Sequence, residues 1–428
     1  MIKIGVYLPD HIKANVGGGY SYTFRLMRDL LAHPEGKRFV PVVFSKDNAF
    51  LKELGVDECV EIQKPAKKFS YPHWSVADKI GLKLGKLFGS KLTERLQDEV
   101  LADYQAKSTS ATWDANLNTL KHAGIDAMFY FSYDHYQFGF SELDLPYIAS
   151  IWDIGHVFTS PFPELNNRDN FAYRERVIRQ YLSRASLVVS ESDQGSRDLT
   201  FHYQVKPEQL ISIPMFPSAV ADMPESEADK SILNRVDPNG NGFFFFPGQF
   251  WAHKNHLGLL NAFKTASEKL GKPLRLVFTG SDKGNHKLVE SEIERLGLTG
   301  KVVNAGFIPV TQLRALYAAA IGVVFPSYLG PTNMPILEAL YCGCPLACSD
   351  FDGHREQAGN AALYFDPADA DSIAKAMISL ADDSAGVRGT LLENMPAVVR
   401  SSRAAYKDAL QTLMVAIGRL ESKIKTYS

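Results

Sequence analysis

Residues 325–338 read F-P-S-Y-L-G-P-T-N-M-P-I-L-E, and this stretch carries more chemistry than any other in the chain. The apolar run 321–325 predicts a buried strand, and the Gly, Pro, Thr and Asn that follow predict a tight loop. Thr332 or Asn333 is placed to cap a helix starting near Met334, with Pro335 in its first turn, where a missing N–H costs nothing. Strand, turn and helix N-terminus in that order form a site for an anion. Unpaired backbone N–H groups and the positive end of the helix dipole face the same point. Glu338 lies about one turn into the helix and can reach groups attached to a phosphate, such as ribose hydroxyls.

Five other sets of residues sit where strands are expected to end. Lys254 and His253, within Phe246-Pro-Gly-Gln-Phe-Trp-Ala-His-Lys-Asn-His256, fall in a loop before a helix. A lysine there can neutralise a diphosphate and stabilise the charge that builds as a phosphate leaves. In Trp152-Asp153-Ile-Gly-His156, the Asp153 carboxylate and His156 imidazole are suited to acid/base work or to binding a sugar hydroxyl. Gly17-Gly18-Gly19 follows the first strand and lets backbone approach a ligand with no Cβ between them, although it lacks the dinucleotide spacing. Gly280-Ser281-Asp282 and Gly306-Phe307 could border a nucleobase through backbone groups and an aromatic face.

The elements that must position these residues alternate along the chain. Strands are expected at 2–8, 39–44, 127–131, 147–151 and 187–190, with helices that include 21–32 and 168–185. After a polar linker over 219–242 the pattern restarts: strands at 243–246, 274–279, 302–303, 321–325 and 345–348, and helices at 257–270, 291–296, 311–320 and 334–342. A long helix closes the sequence at 401–423. Alternation of this kind predicts mostly parallel sheets covered on both faces, with ligands at the carboxyl ends of the strands and a cleft between two halves. The expected division is an N-terminal domain over 1–220, a linker over 221–242, a C-terminal domain over 243–400 and a helix over 401–428.

Length, charge and cysteine content narrow the class. The 428 residues are 45% apolar and 22% charged, enough for two full cores. A net charge of -2 gives no reason to expect nucleic-acid binding. Cys59, Cys342, Cys344 and Cys348 are too few for a disulfide scaffold and lack zinc-like spacing, so packing and a reducing cytoplasm are expected. Met1-Ile-Lys-Ile leads straight into a strand, with no signal peptide expected, and no apolar run reaches the roughly 20 residues that span a bilayer. Residues 64–107 break the order. Trp74, Val76, Ile80, Leu84, Leu87, Phe88 and Leu92 recur at helical spacing among Lys79, Lys83, Lys86 and Lys91. Two readings of this stretch stay open: peripheral contact of residues 64–92 with an anionic membrane, at its inner face, or a helical insertion at about 64–122 packed on the N-terminal domain with snorkelling lysines.

Taken together, these motifs resemble the retaining family-4 glycosyltransferases, group 1 glycosyltransferases of the GT-B fold. The similarity runs through Trp152-Asp-Ile-Gly-His156 to Phe162-Pro-Glu, Leu187-Val-Val-Ser190 to Ile213-Pro214, Pro247-Gly-Gln-Phe-Trp-Ala-His-Lys254, Gly330 to Glu338, Gly343-Cys-Pro345 and Ala361-Ala-Leu-Tyr-Phe-Asp-Pro367. It implies an α/β protein with two Rossmann-like doubly wound domains facing a central cleft. It further implies a UDP- or GDP-linked sugar donor, a glycan or lipid-linked acceptor, retention of anomeric configuration, and no metal or other cofactor. By the same resemblance Glu338 holds ribose, the backbone of Asn333, Met334, Pro335 and Ile336 holds the diphosphate, Lys254 binds its oxygens, and Gly18 and Gly19 approach from the facing domain. Three positions depart from the family pattern. Gly330 stands where the first glutamate of E-x(7)-E belongs, Gln249 replaces an arginine, and Trp152 replaces a histidine, for which His156 is a candidate substitute. Thr332 or Asn333 is then expected to supply the missing sugar contact. The G-P-T-N-x-P loop resembles a branch found in bacterial polysaccharide assembly. Nucleotide-sugar epimerases or hydrolases of the same fold, and a non-catalytic nucleotide-sugar-binding partner, are the alternatives.

Overall fold

The structure, a computed structural model, describes residues 1–8, 18–63, 110–132, 143–158, 162–166, 168–383 and 385–427. Gly17 and the 64–107 segment, with its expected membrane contact, lie outside the described residues.

Two sheets are built from the described strands. The first contains β1 (Lys3–Tyr7), β2 (Phe39–Val43), β3 (Val60–Glu61), β4 (Ile125–Tyr130), β5 (Tyr147–Ile151), β6 (Leu187–Ser190) and β7 (Leu210–Ser212), in the order β3-β2-β1-β4-β5-β6-β7. The second contains β8 (Phe243–Pro247), β9 (Arg275–Thr279), β10 (Val302–Asn304), β11 (Gly322–Phe325), β12 (Leu346–Ser349) and β13 (Leu363–Phe365), in the order β10-β9-β8-β11-β12-β13. In each, the first strand lies inside the sheet and the order reverses beside it. β1 runs parallel to both β2 and β4, and β8 runs parallel to both β9 and β11. The loops that leave such a reversal diverge, one to each face, and open a crevice at the carboxyl edge.

By packing, the chain divides into two compact units, one of Met1–His11, Leu31–Ser150 and Val177–Ser186, the other of Ile12–Leu30, Ile151–Arg176 and Leu187–Ser428. The first unit is organised around tyrosines. Tyr147 stacks on Tyr181 at 5.8 Å, and its hydroxyl donates to the Tyr181 carbonyl at 2.6 Å, so a polar tip is satisfied inside an apolar layer. The second unit holds the whole six-stranded sheet. Phe243, Phe244, Phe245 and Phe246 in a row suit a strand covered on both faces, and all four are buried. Phe245 meets Tyr317 on one side, while Phe246 meets Phe325 and Phe278 on the other.

Several boundaries differ from the sequence reading for local reasons. The first helix is Gly18–Ala32, three residues earlier than expected, so Gly18 and Gly19 sit in a helical turn and not in a loop. The polar stretch 219–242 contains the helix Ser231–Val236, and Val220, Ile232 and Val236 are buried in the core of the second sheet. Its polar residues hid those anchors. The last helix is Val387–Tyr427 and carries Pro396 inside it. β3, β7 and β13 are two or three residues long, too short for an alternation pattern to show.

His256 opens the helix His256–Leu270 yet lies fully buried, stacked on Phe250 at 4.5 Å and edge-on to Phe246 and Phe278. Neither ring nitrogen has a hydrogen-bond partner. Burial, with Lys254 and the neighbouring histidines, pulls its pKa from 6.5 to about 3. A depressed folded pKa contributes stability above the unfolded value that is lost as pH falls toward the folded one. At roughly 1.4 kcal/mol per unit, His256 should give up about 1.5–2 kcal/mol between pH 6.5 and pH 5. We expect His256→Phe to leave urea stability at pH 8 within about 1 kcal/mol and to flatten the acid limb. An acid limb as steep as that of the wild type would exclude this histidine as a source of the pH dependence.

Candidate functional site

Lys254 ends a short 3-10 turn, Ala252–Lys254, that follows β8. The loop is held from below: Gly248 N–H donates to the Thr279 carbonyl at 2.9 Å, and Phe250 N–H to the Ser281 carbonyl at 3.1 Å. Lys254 itself is half-buried. Its Nζ donates to Asn333 Oδ1 at 2.7 Å and lies 5.0 Å from the centre of the Phe325 ring. Lys254 follows β8 and Asn333 follows β11, so the contact joins the two loops at the point of strand reversal. Burial lowers the ammonium pKa to about 8, and the Asp153 and Glu191 carboxyls oppose that fall.

Asn333 has the backbone of a helix N-cap for Met334–Tyr341, but its side chain makes no capping bond. Its oxygen is turned to Lys254 instead. Thr332, the other expected cap, is buried and lies beside Glu191. Met334, Pro335 and Ile336 form the first turn of that helix, as their sequence positions implied.

Glu338 is buried. It is 5% exposed, one carboxylate oxygen accepts from Ser218 Oγ, and the other accepts from Tyr317 Oη at 2.6 Å. Burial raises its pKa, and these two hydroxyls oppose the rise.

Among the residues after β5, Asp153 Oδ1 accepts from the Gly155 N–H at 2.9 Å. His156 is fully buried, with Nε2 2.9 Å from Glu175 Oε1 and 3.3 Å from Tyr203 Oη. Nδ1 lacks a partner, and burial lowers the ring's pKa. The structure thus ties His156 to Glu175 and Tyr203. His253 is engaged by Glu164, whose Oε1 accepts from both its N–H at 2.9 Å and its Nδ1 at 2.8 Å. Burial and Lys254 bring the His253 pKa down to about 4.

Of the glycines, Gly19 is required by close approach, since a Cβ there would lie 2.9 Å from the Trp152 ring, whereas Gly18 has open space. Gln249 accepts from Trp251 Nε1 at 3.0 Å, and Gly280 N–H donates to the Gly306 carbonyl at 2.9 Å. Phe307 is 62% exposed, with its ring free to cover a flat ligand. Sequence reasoning missed Glu191. It is 4% exposed, its pKa is driven well up by burial, and Asp153 adds to that while Lys254 and Thr332 oppose it. It also missed Glu164 and His354. Glu164 closes the Phe162-Pro-Glu segment named above, but its partner His253 lies across the fold, and nothing local marks His354.

A cavity of about 390 Å³ opens beside these groups, lined by Trp152, Asp153, Tyr328, Gly330, Asp350 and Phe351, among others. Its walls mix aromatic faces with hydroxyl acceptors, a combination suited to a sugar ring.

Against known structures, the chain matches HepE from Anabaena in complex with UDP and glucose at a TM-score of 0.64, with 16% identity over 96% of this chain and 99% of that one. It matches the alpha,alpha-trehalose 6-phosphate synthase of Burkholderia multivorans at 0.68, with 11% identity over 99% of each chain. The fold is GT-B. Within this GT-B chain, residues 229–396 match the family model for glycosyl transferases group 1. The O-antigen chain mannosyltransferase B of Escherichia coli is 28% identical over 239 residues, 55% of this chain. The chain covers 62% of that relative's length.

The glycine at position 330 has a backbone explanation. Gly330 has φ +116, a region other residues rarely enter, and a Cβ there would lie 2.6 Å from Asn333 Nδ2 and 2.7 Å from the Thr332 carbonyl oxygen. The Asn333 amide occupies the space. Gly330→Glu should therefore cost about 2–3 kcal/mol of stability by urea titration and displace Asn333. A variant as stable as the wild type would contradict this.

Proposed function

We propose that the protein is a retaining, metal-independent glycosyltransferase. It would move a sugar from a nucleotide-sugar donor, UDP- or GDP-linked, to a glycan or lipid-linked acceptor in bacterial surface polysaccharide synthesis. The observation that carries this reading is the Lys254–Asn333 contact, which sets an ammonium beside the N-terminus of helix Met334–Tyr341 at the reversal between β8 and β11. That geometry supplies fixed positive charge where a diphosphate can accept it. The O-antigen mannosyltransferase similarity makes GDP-mannose the first donor to try, with UDP-sugars next.

In the proposed reaction an acceptor hydroxyl attacks the anomeric carbon on the face from which the diphosphate departs. The anomeric C–O bond breaks, its electron pair stays on the diphosphate, and the acceptor proton passes to a diphosphate oxygen. Lys254 stabilises the developing charge, the backbone at Asn333–Ile336 orients the phosphates, and Glu338 accepts from ribose through lone pairs that Ser218 and Tyr317 leave unused. Gln249, Gly280 and Phe307 would border the base. Asp153 and Thr332 or Asn333 would meet the sugar, and Gly18 and Gly19 would approach the diphosphate.

One observation favours a second reading. Asp153 and Glu191 interact electrostatically beside Lys254. A carboxyl whose pKa burial drives up, set near a second carboxyl, suits the acid/base chemistry of nucleotide-sugar hydrolysis or epimerisation. Release of free sugar or an epimer without acceptor would select it. No turnover, together with no thermal protection by nucleotide, would select a non-catalytic binding partner.

Lys254→Ala and Glu338→Gln should each lose ~2–4 kcal/mol of transition-state stabilisation, read as kcat/KM. Near-wild-type values in both would overturn the site. No helix of the described residues is long and apolar enough to cross a membrane. Attachment at the inner membrane face is proposed for residues 64–92, outside the described residues. A Lys79/Lys83/Lys86→Glu protein should then sediment less with anionic vesicles, and equal sedimentation would dismiss the attachment.

A further inference from the structure

The Asn333 amide is nearly symmetric in shape, and turned over it would set an NH2 group against the Lys254 ammonium. Two contacts oppose the turn. Asn333 Nδ2 donates to the Leu329 carbonyl at 3.2 Å and lies 2.9 Å from His354 Nε2. His354 is fully buried, with Nδ1 2.8 Å from the Ser349 carbonyl oxygen. A carbonyl oxygen only accepts, so Nδ1 carries the ring proton and Nε2 presents a lone pair. That lone pair requires an N–H, and the amide nitrogen of Asn333 supplies it. The backbone is clamped as well: Asn333 N–H donates to Gln357 Oε1 at 2.9 Å, and its carbonyl accepts from Gln357 Nε2 at 3.2 Å.

We propose that His354 is a positioning residue for Lys254, acting through Asn333. The Ser349 carbonyl fixes the imidazole tautomer, the imidazole fixes the amide, and the amide oxygen holds the ammonium charged and aimed. The diphosphate as the target of that aim is taken from the donor-site reading above; the relay itself is a property of the free protein. Among the described residues, the charged and titratable groups that face Lys254 are the carboxyls of Asp153 and Glu191 and the imidazoles of His253, His256 and His354. With pKa values lowered to about 4, about 3 and about 4, the three rings are neutral near pH 7. That leaves the two carboxyls and the Asn333 dipole to favour the ammonium.

The test is trace acetylation of the full chain with acetic anhydride from about pH 6 to pH 10, reading the Lys254 peptide by mass spectrometry, with and without UDP or GDP. Wild-type Lys254 should titrate at about 8. His354→Phe keeps a flat ring between Phe325 and Phe351 but removes the acceptor. Its Lys254 midpoint should fall by roughly one unit. Nucleotide affinity should then weaken about eightfold at pH 8.5 and less than about twofold at pH 6.5, where the ammonium persists in both proteins. His354→Gln, whose amide oxygen can accept from Asn333, should restore most of the midpoint. Asn333→Asp should raise the midpoint while weakening nucleotide binding, because a carboxylate favours the ammonium but repels a diphosphate. A purely packing role would lower thermal stability without moving the Lys254 titration. An unmoved midpoint in folded His354→Phe overturns the proposal. If that variant does not fold, Asn333→Asp decides, and an unmoved or lowered midpoint overturns it. Shifted midpoints without nucleotide protection of Lys254 would uphold the relay and overturn the donor-site reading.

Discussion

A lysine taken partly out of water must be kept charged if it is to meet an anion. That requirement organises the second unit. Desolvation favours the neutral amine, and the carboxyls that oppose it come from different segments, Asp153 after β5 and Glu191 after β6, while Asn333 after β11 accepts the ammonium's hydrogen bond. Each answers the same electrostatic demand. The arrangement also makes the ammonium available. It is held by a neutral amide, not a salt bridge, so an anion could accept a hydrogen bond from it without first displacing a carboxylate contact.

Parallel sheets make this convergence inexpensive. All strand carboxyl ends of the second sheet lie on one edge, and the reversal between β8 and β11 splays their loops apart. The apolar content that covers both faces, seen in four consecutive phenylalanines, fixes the strands rigidly enough for loop residues to be aimed. The same tightness imposes local costs. Gly330 takes a backbone geometry that other residues rarely adopt, and the Asn333 amide fills the space a Cβ would need. The glycine at 330 and the orientation of Asn333 are thus two sides of one packing solution.

Most of the element order was legible in the sequence. Buried parallel strands are unbroken apolar runs, and the helices between them carry their own caps and breakers. The position of Lys254 before a helix and of Asn333 at a helix start could be read as well. The use to which Asn333 is put could not, since a cap and a lysine acceptor look identical in a chain of letters. Glu338 reads as a free carboxylate but meets Ser218 and Tyr317, which are 120 and 21 residues away. His156 reads as a loop histidine and is a buried partner of Glu175 and Tyr203. Glu191 follows a strand in a segment the resemblance covered, but its burial beside Asp153 and Lys254 could not be read there, and His354 carries no local signal.

The sequence by itself determined what is local: where strands and helices form, which loops follow them, and which residue types those loops bring to the carboxyl edges. Tertiary structure decided protonation and orientation. Burial sets whether Lys254, Glu191 and three histidines hold a proton, and contacts between distant segments set which way the Asn333 amide points. Desolvation and hydrogen-bond direction depend on neighbours that only folding assembles.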